Sequence, residues 1–195
     1  VALNPQIKLP FKRYELGKVF RDGPISSERF REFWQCDIDV VGPSSMLADA
    51  EYVNMVFSVF KELNLKAIVK VNNKKILDGL MEYCSIDKKF VESVILTIDK
   101  LEKIKESGVK KELQEKGLNS NQIEKLMKSI NIKGSNENKI AELKKLIPNN
   151  EGIKEIEELL SYAPDATFEV SLARGLAYYT GIIFETFLKD SEIKT

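Results

Sequence analysis

Residues 12–42 read "KRYELGKVFRDGPISSERFREFWQCDIDVVG", and how that stretch folds decides the rest of the chain. Its ends have strand chemistry, rich in aromatic and β-branched residues. The middle, "RDGPISSER", carries Gly23, Pro24 and two serines, the residue types of a connection between antiparallel strands. The second strand alternates with period two. Trp34, Cys36, Ile38 and Val40 share one face, which is expected to be core; Phe33, Gln35, Asp37 and Asp39 share the other. Two carboxylates and an amide are costly to bury without partners. That second face therefore either meets solvent or floors a polar pocket.

Working outward, the pattern predicts a helix over residues 45–63, a short apolar strand "KAIVKV" at 66–71, and a helix over 73–83. After Phe90 the character changes. Residues 91–161 hold neither aromatics nor arginines and are dense in lysine and glutamate. Apolar residues there recur at helical spacing, as in Ile123, Leu126, Met127 and Ile130, with Gly117, Gly134 and Pro148 as punctuation. Strand chemistry returns in "ATFEVSLARGL" (166–176) and "GIIFETFLK" (181–189). The expectation is an α+β fold in three parts: an α/β core over 1–86, an all-helical insertion over 87–162, and a return to the core over 163–195.

At 195 residues the chain can bury a sizeable core. Its 30 basic and 30 acidic residues cancel, so any anion site must be local. No apolar run approaches the ~20 residues of a membrane span, and a cytoplasmic chain without membrane contact is expected. Two cysteines, Cys36 and Cys84, are too few for a disulfide framework. Histidine is absent, which excludes Ser-His-Asp and Cys-His catalysis and any histidine-ligated metal. No protein-held metal site is expected. Of the 30 basic residues 25 are lysine; the five arginines are Arg13, Arg21, Arg29, Arg31 and Arg174. The guanidinium is a rigid planar fork suited to phosphate and carboxylate, and four of the five cluster around the hairpin. The fifth lies in "LARGLAYYTG", residues 172–181.

These two stretches carry a family resemblance. "GKVFRDGP" followed by "FREFWQCDIDVVG" resembles motif 2 of a class II aminoacyl-tRNA synthetase, and "LARGLAYYTG" resembles the histidine signature of histidyl-tRNA synthetases in their archaeal or eukaryotic form. The resemblance implies a class II synthetase-like antiparallel sheet with packed helices. It implies ATP-dependent activation of histidine to histidyl-adenylate and transfer to tRNA(His), with Mg²⁺ carried on the nucleotide. On it, Arg21 would grip the α-phosphate and the substrate carboxylate, Arg29 would reach the γ-phosphate and Phe33 would stack on adenine. Arg174 would face Arg21 across the α-phosphate and also touch histidine. Gln35 would hold the α-ammonium, Asp39 one imidazole nitrogen and Tyr179 the other, with Tyr178 in the pocket wall.

Two positions depart from the family pattern: Ala177 stands where an aspartate is usual, and Gly23 where many members have glutamate. Motif 1, motif 3 and an anticodon-binding domain are not found, so the chain reads as part of a larger enzyme, inactive by itself. The resemblance implies a homodimer for that enzyme. It also sets the helical insertion over the tRNA acceptor stem, with Lys110, Lys111 and Lys116 as candidate phosphate contacts. A catalytically silent regulatory paralogue that binds histidine or a partner enzyme is the alternative.

Overall fold

The structure is a computed structural model that describes residues 3–26, 29–42, 44–174 and 179–189. It is mixed α+β, with five strands in two sheets and seven helices among the described residues. Strands β1 (Phe11–Phe20) and β2 (Glu32–Val41) form a long antiparallel hairpin in which Arg13 lies opposite Asp39, Gly17 opposite Gln35 and Val19 opposite Phe33. Helix α1 (Met46–Glu62) leads to β3 (Ala67–Asn73), and α2 (Lys74–Tyr83) follows at once. Five helices come next: α3 (Lys88–Ile98), α4 (Leu101–Glu115), α5 (Ser120–Ile130), α6 (Asn136–Leu146) and α7 (Glu151–Tyr162). The chain closes on β4 (Thr167–Phe168) and β5 (Ile182–Leu188), giving a second sheet of order β4-β3-β5. β4 runs parallel to β3, and β5 runs antiparallel to it.

The helix starts follow from short polar side chains that satisfy otherwise orphaned backbone N–H groups. Ser45 accepts from the Leu47 N–H at 3.2 Å, Asn73 from Lys75 at 2.9 Å and Asp87 from Lys89 at 3.0 Å. Asn119 and Gln122 cap each other reciprocally at the start of α5. Between the caps, the helical apolar stripes meet in one cluster. Ile76, Leu80, Leu113, Leu126, Leu143, Ile156 and Phe168 are fully buried there with Val69 and Val71 of β3. Helix α7 packs against α1, α2 and β3, so the helical run shares its core with the second sheet. Burying each such side chain contributes about 1.5–3 kcal/mol before entropy is counted. No described helix is long and apolar enough to cross a membrane.

Two expectations are corrected. The apolar face of β2 is not core: Trp34 is 65 % exposed, its cross-hairpin neighbour face carries Tyr14 at 80 %, and Cys36 and Ile38 are exposed too. Period two tells which residues share a face, but not whether another layer covers it. Here the hairpin stands as a two-stranded ribbon, separate from the sheet that β3 centres. The second correction concerns 166–176, expected as one strand, of which 175 and 176 lie outside the described residues. Pairing stops at Phe168, and the chain turns, with the Leu172 N–H donating to the Glu169 carbonyl at 3.0 Å. Asn72 of β3 braces the turned segment, its Nδ2 donating to the Val170 and Leu172 carbonyls.

Candidate functional site

The hairpin collects one set of the expected residues. Its register puts Arg13, Asp39, Glu15, Asp37, Gln35 and Phe33 on a single face, with Gly17 leaving that face open opposite Gln35. Arg21 extends β1, its N–H donating to the Arg31 carbonyl at 2.9 Å, and its guanidinium carbon lies 4.4 Å from the centre of the Phe33 ring. That is stacking distance for a cation on an aromatic face. Arg29 sits in the connecting loop, bridged to Ser26 by reciprocal backbone bonds of 3.0 and 3.3 Å. Gly23, at φ +141°, holds a backbone conformation that an L side chain rarely adopts. Its N–H donates to Asp22 at 2.8 Å and its carbonyl accepts from Arg31 Nε at 3.4 Å, so Arg31 and Asp22 shape this loop where the family pattern places a glutamate.

Further along the same face Gln35 Nε2 donates to Asp37 at 2.5 Å, and Asp39 Oδ2 accepts from Arg13 Nε at 2.6 Å. That bond, with the charge of Asp39, raises the Arg13 pKa above its ordinary value. Burial and the negative charges of Asp39, Glu51 and Asp49 likewise push Tyr52 of α1 upward, which places Tyr52 in the field of the Asp39 end of the hairpin. Lys12 ties the same end to α1 through Glu51 at 2.5 Å.

The second sheet holds the other set. Arg174 lies just past the turn that Asn72 fixes, and its Nη1 donates to Glu185 Oε1 of β5 at 2.6 Å. Tyr179 is partly buried against the core; Tyr178 and Ala177 fall outside the described residues. Among the described residues no side-chain bond joins Arg21 to Arg174; each arginine is anchored on its own sheet. Asn72 and Glu185 were missed in the sequence. A lone carboxylate inside the apolar run "IIFETFL" is the signal that could have found Glu185.

The described residues contain no group of three or more carboxylates and thiols placed to hold a metal ion. Of the lysines singled out for phosphate contact, Lys110 pairs with Glu106 at 2.6 Å and Lys111 with Glu115 at 3.9 Å. Lys116 bonds the Ser93 carbonyl, Thr97 Oγ1 and Glu112, and with Lys100 it holds the Glu112 carboxyl down at about 2. Lys116 thus joins α4 to α3.

The thiols differ sharply. Cys36 is exposed on the hairpin, whereas burial pushes the Cys84 thiol up to about 11. At pH 8 the Cys84 thiolate fraction is then on the order of 10⁻³, and the thiolate is the reactive form. Titration of the native 195-residue chain with Ellman's reagent should show one fast thiol, abolished by Cys36→Ser. Two equally fast thiols would contradict this burial.

Planar cations near an aromatic ring, beside a face of amide and carboxylate groups, suit a ligand that is anionic at one end and basic at the other. Comparison with known proteins places the chain in a family. A family model described as "Histidyl-tRNA synthetase" matches residues 4–194. A histidine-tRNA ligase 1 of Bacillus cereus is 43 % identical over 202 residues, covering 99 % of this chain and 46 % of that protein. The crystal structure of histidyl-tRNA synthetase from Nostoc sp. superposes with a TM-score of 0.83 at 35 % identity, over 94 % of this chain and 45 % of that one. A structure described as an ATP phosphoribosyltransferase regulatory subunit/histidyl-tRNA synthetase from Bacillus halodurans shares the fold, with a TM-score of 0.77 at 18 % identity over 95 % of this chain and 50 % of that one. The chain belongs to the histidyl-tRNA synthetase family, and it spans about half the length of the relatives it matches.

Proposed function

We propose that the chain supplies two walls of the site where an intact histidine-tRNA ligase makes histidyl-adenylate and passes histidine to tRNA(His). The observation that carries this is the division of arginines: Arg21 stacked on Phe33 on the hairpin, and Arg174 anchored on the second sheet. Histidine's carboxylate attacks the α-phosphate in line and pyrophosphate leaves, so the protein must position two anions and neutralise charge as the five-coordinate centre forms. Arg21 and Arg174 do this from opposite sides, and Arg29 reaches the γ-phosphate. Phe33 offers its ring to adenine. Gln35 takes the α-ammonium, and Asp39 and Tyr179 the imidazole, with Tyr178 in the wall. Residues 35 and 39 are ~13 Å apart along the strand, a span that side chains leaning inward bring to the two ends of one small ligand. Mg²⁺ enters with the nucleotide, as part of the substrate.

The division into core parts 1–86 and 163–195, separated by a helical insertion at 87–162, belongs to the same proposal. It is supported by the way α3 to α7 fall in sequence between β3 and β4. Activity in the cytoplasm, a homodimeric parent and inactivity of this chain by itself complete it. The regulatory alternative draws on the likeness to the Bacillus halodurans protein, but at 18 % identity that likeness concerns the fold. A protein that binds histidine without activating it has no use for paired α-phosphate arginines.

Histidine-dependent ATP–pyrophosphate exchange by the full-length protein carrying this chain is the test, and exchange is expected. Histidine binding without exchange would favour the regulator.

A further inference from the structure

We propose that Glu185 is a positioning residue for Arg174, holding its guanidinium toward the reacting phosphate; this rests on the reading of Arg174 given above. An arginine side chain has a long flexible stem, so a fixed backbone does not by itself aim the fork. Here the backbone is fixed first. Asn72 is fully buried and donates to the Val170 carbonyl at 3.0 Å and the Leu172 carbonyl at 2.8 Å, two residues short of Arg174. From the outer side Asn136 of α6 pairs with the Phe168 N–H and the Ala166 carbonyl, both at 2.9 Å, and the buried Lys139 donates to the Phe168 carbonyl at 2.6 Å. Glu185 then fixes the far end at 2.6 Å.

The neighbours of Glu185 leave its carboxylate to Arg174. Its cross-strand partner is Lys70, the nearest alternative cation by register, but the Lys70 ammonium goes to Glu102 at 2.7 Å and lies 4.2 Å from the centre of the Phe187 ring. Arg174 and Glu185 are each about one-third exposed, at 36 % and 32 %, open enough for a ligand to reach the fork and shielded enough for the pair to hold. Among the described residues the fork makes one Nη1 contact, so Nη2 and Nε are offered to substrate. Position 177 of this chain is an alanine, and the carboxylate that Arg174 meets comes from β5.

The test uses the full-length ligase, measuring kcat and KM in pyrophosphate exchange. Displacement of a reacting group by ~1 Å can cost up to about 10²-fold, and a partly tethered arginine should lose less. Glu185→Ala is expected to lower kcat about tenfold and the isosteric Glu185→Gln about threefold, with KM for ATP and histidine changed less than twofold. In an Arg174→Ala background neither substitution should slow exchange further, because a positioning residue has nothing left to position. Unchanged kcat in the Gln variant, or losses that multiply in the double variants, would overturn the proposal. Full exchange by Arg174→Ala alone would instead overturn the reading of Arg174 on which it rests. The Gln variant keeps size and shape, so the question stays answerable even if the Ala variant does not fold.

Discussion

Arg174→Lys in the full-length ligase is expected to cut pyrophosphate exchange about as deeply as Arg174→Ala, by on the order of 10²–10³-fold, the usual cost of one transition-state donor. Lysine keeps the charge, and at a site where charge alone mattered it would rescue most of the rate. On the proposed role of Arg174 it should not. Arg174 spends Nη1 on Glu185 at 2.6 Å, and its fork geometry leaves further N–H groups pointing away from that bond. An ammonium at the end of a shorter, unbranched stem would have to meet Glu185 and the phosphate from a single nitrogen, without the fixed spread between Nη1 and the other N–H groups of the fork. The loss should fall on kcat, because the charge to be stabilised develops in the transition state. Retention of more than about one-tenth of the wild-type rate by the lysine variant would show that a point charge suffices.

That prediction could be framed from sequence, because the rarity of arginine in a lysine-rich chain marked position 174 before any fold was known. The hairpin was legible for a related reason. Loop chemistry at Gly23 and Pro24 fixed its turn, and period-two alternation fixed which of Phe33 to Val40 share a face. What alternation cannot carry is the identity of the neighbouring layer. Trp34 and Ile38 were therefore expected as core and are found exposed. The second sheet failed at a different level. "ATFEVSLARGL" has strand propensity throughout, but β4 ends at Phe168, and a buried amide 98 residues away in sequence, Asn72, holds the Val170 carbonyl of the turned segment. Helices were easier, since their caps and stripes are local: α5 runs from its Asn119 cap with Ile123, Leu126, Met127 and Ile130 facing inward. The shared core of α7 and β3 was not visible, because a helical stripe records that a face is buried and leaves open against what. Glu185 was missed for the same reason: its meaning depends on Arg174, 11 residues upstream.

Asp39→Asn is expected to weaken histidine far more than ATP. In the proposed site Asp39 accepts from the imidazole, whereas the nucleotide is held by Phe33 and the arginines. A hydrogen bond to a charged acceptor is worth about 1.5–3 kcal/mol, so histidine KM should rise roughly ten- to a hundredfold while ATP KM stays within about twofold. Arg13 makes the experiment more discriminating. Its Nε donates to Asp39 Oδ2 at 2.6 Å, so the asparagine variant loses a hairpin ion pair as well as a substrate contact. Both partners are about half exposed, at 53 % and 49 %, and exposed pairs contribute little to stability, so the hairpin should survive. Arg13→Gln breaks the same pair while leaving the carboxylate in place. If Asp39 acts on histidine directly, Arg13→Gln should raise histidine KM much less than Asp39→Asn does, through loosened orientation alone. Equal effects of the two substitutions would mean that Asp39 serves the hairpin and not the ligand. A parallel rise in KM for both substrates would point the same way, because an unsettled β2 displaces Phe33 together with Gln35 and Asp39.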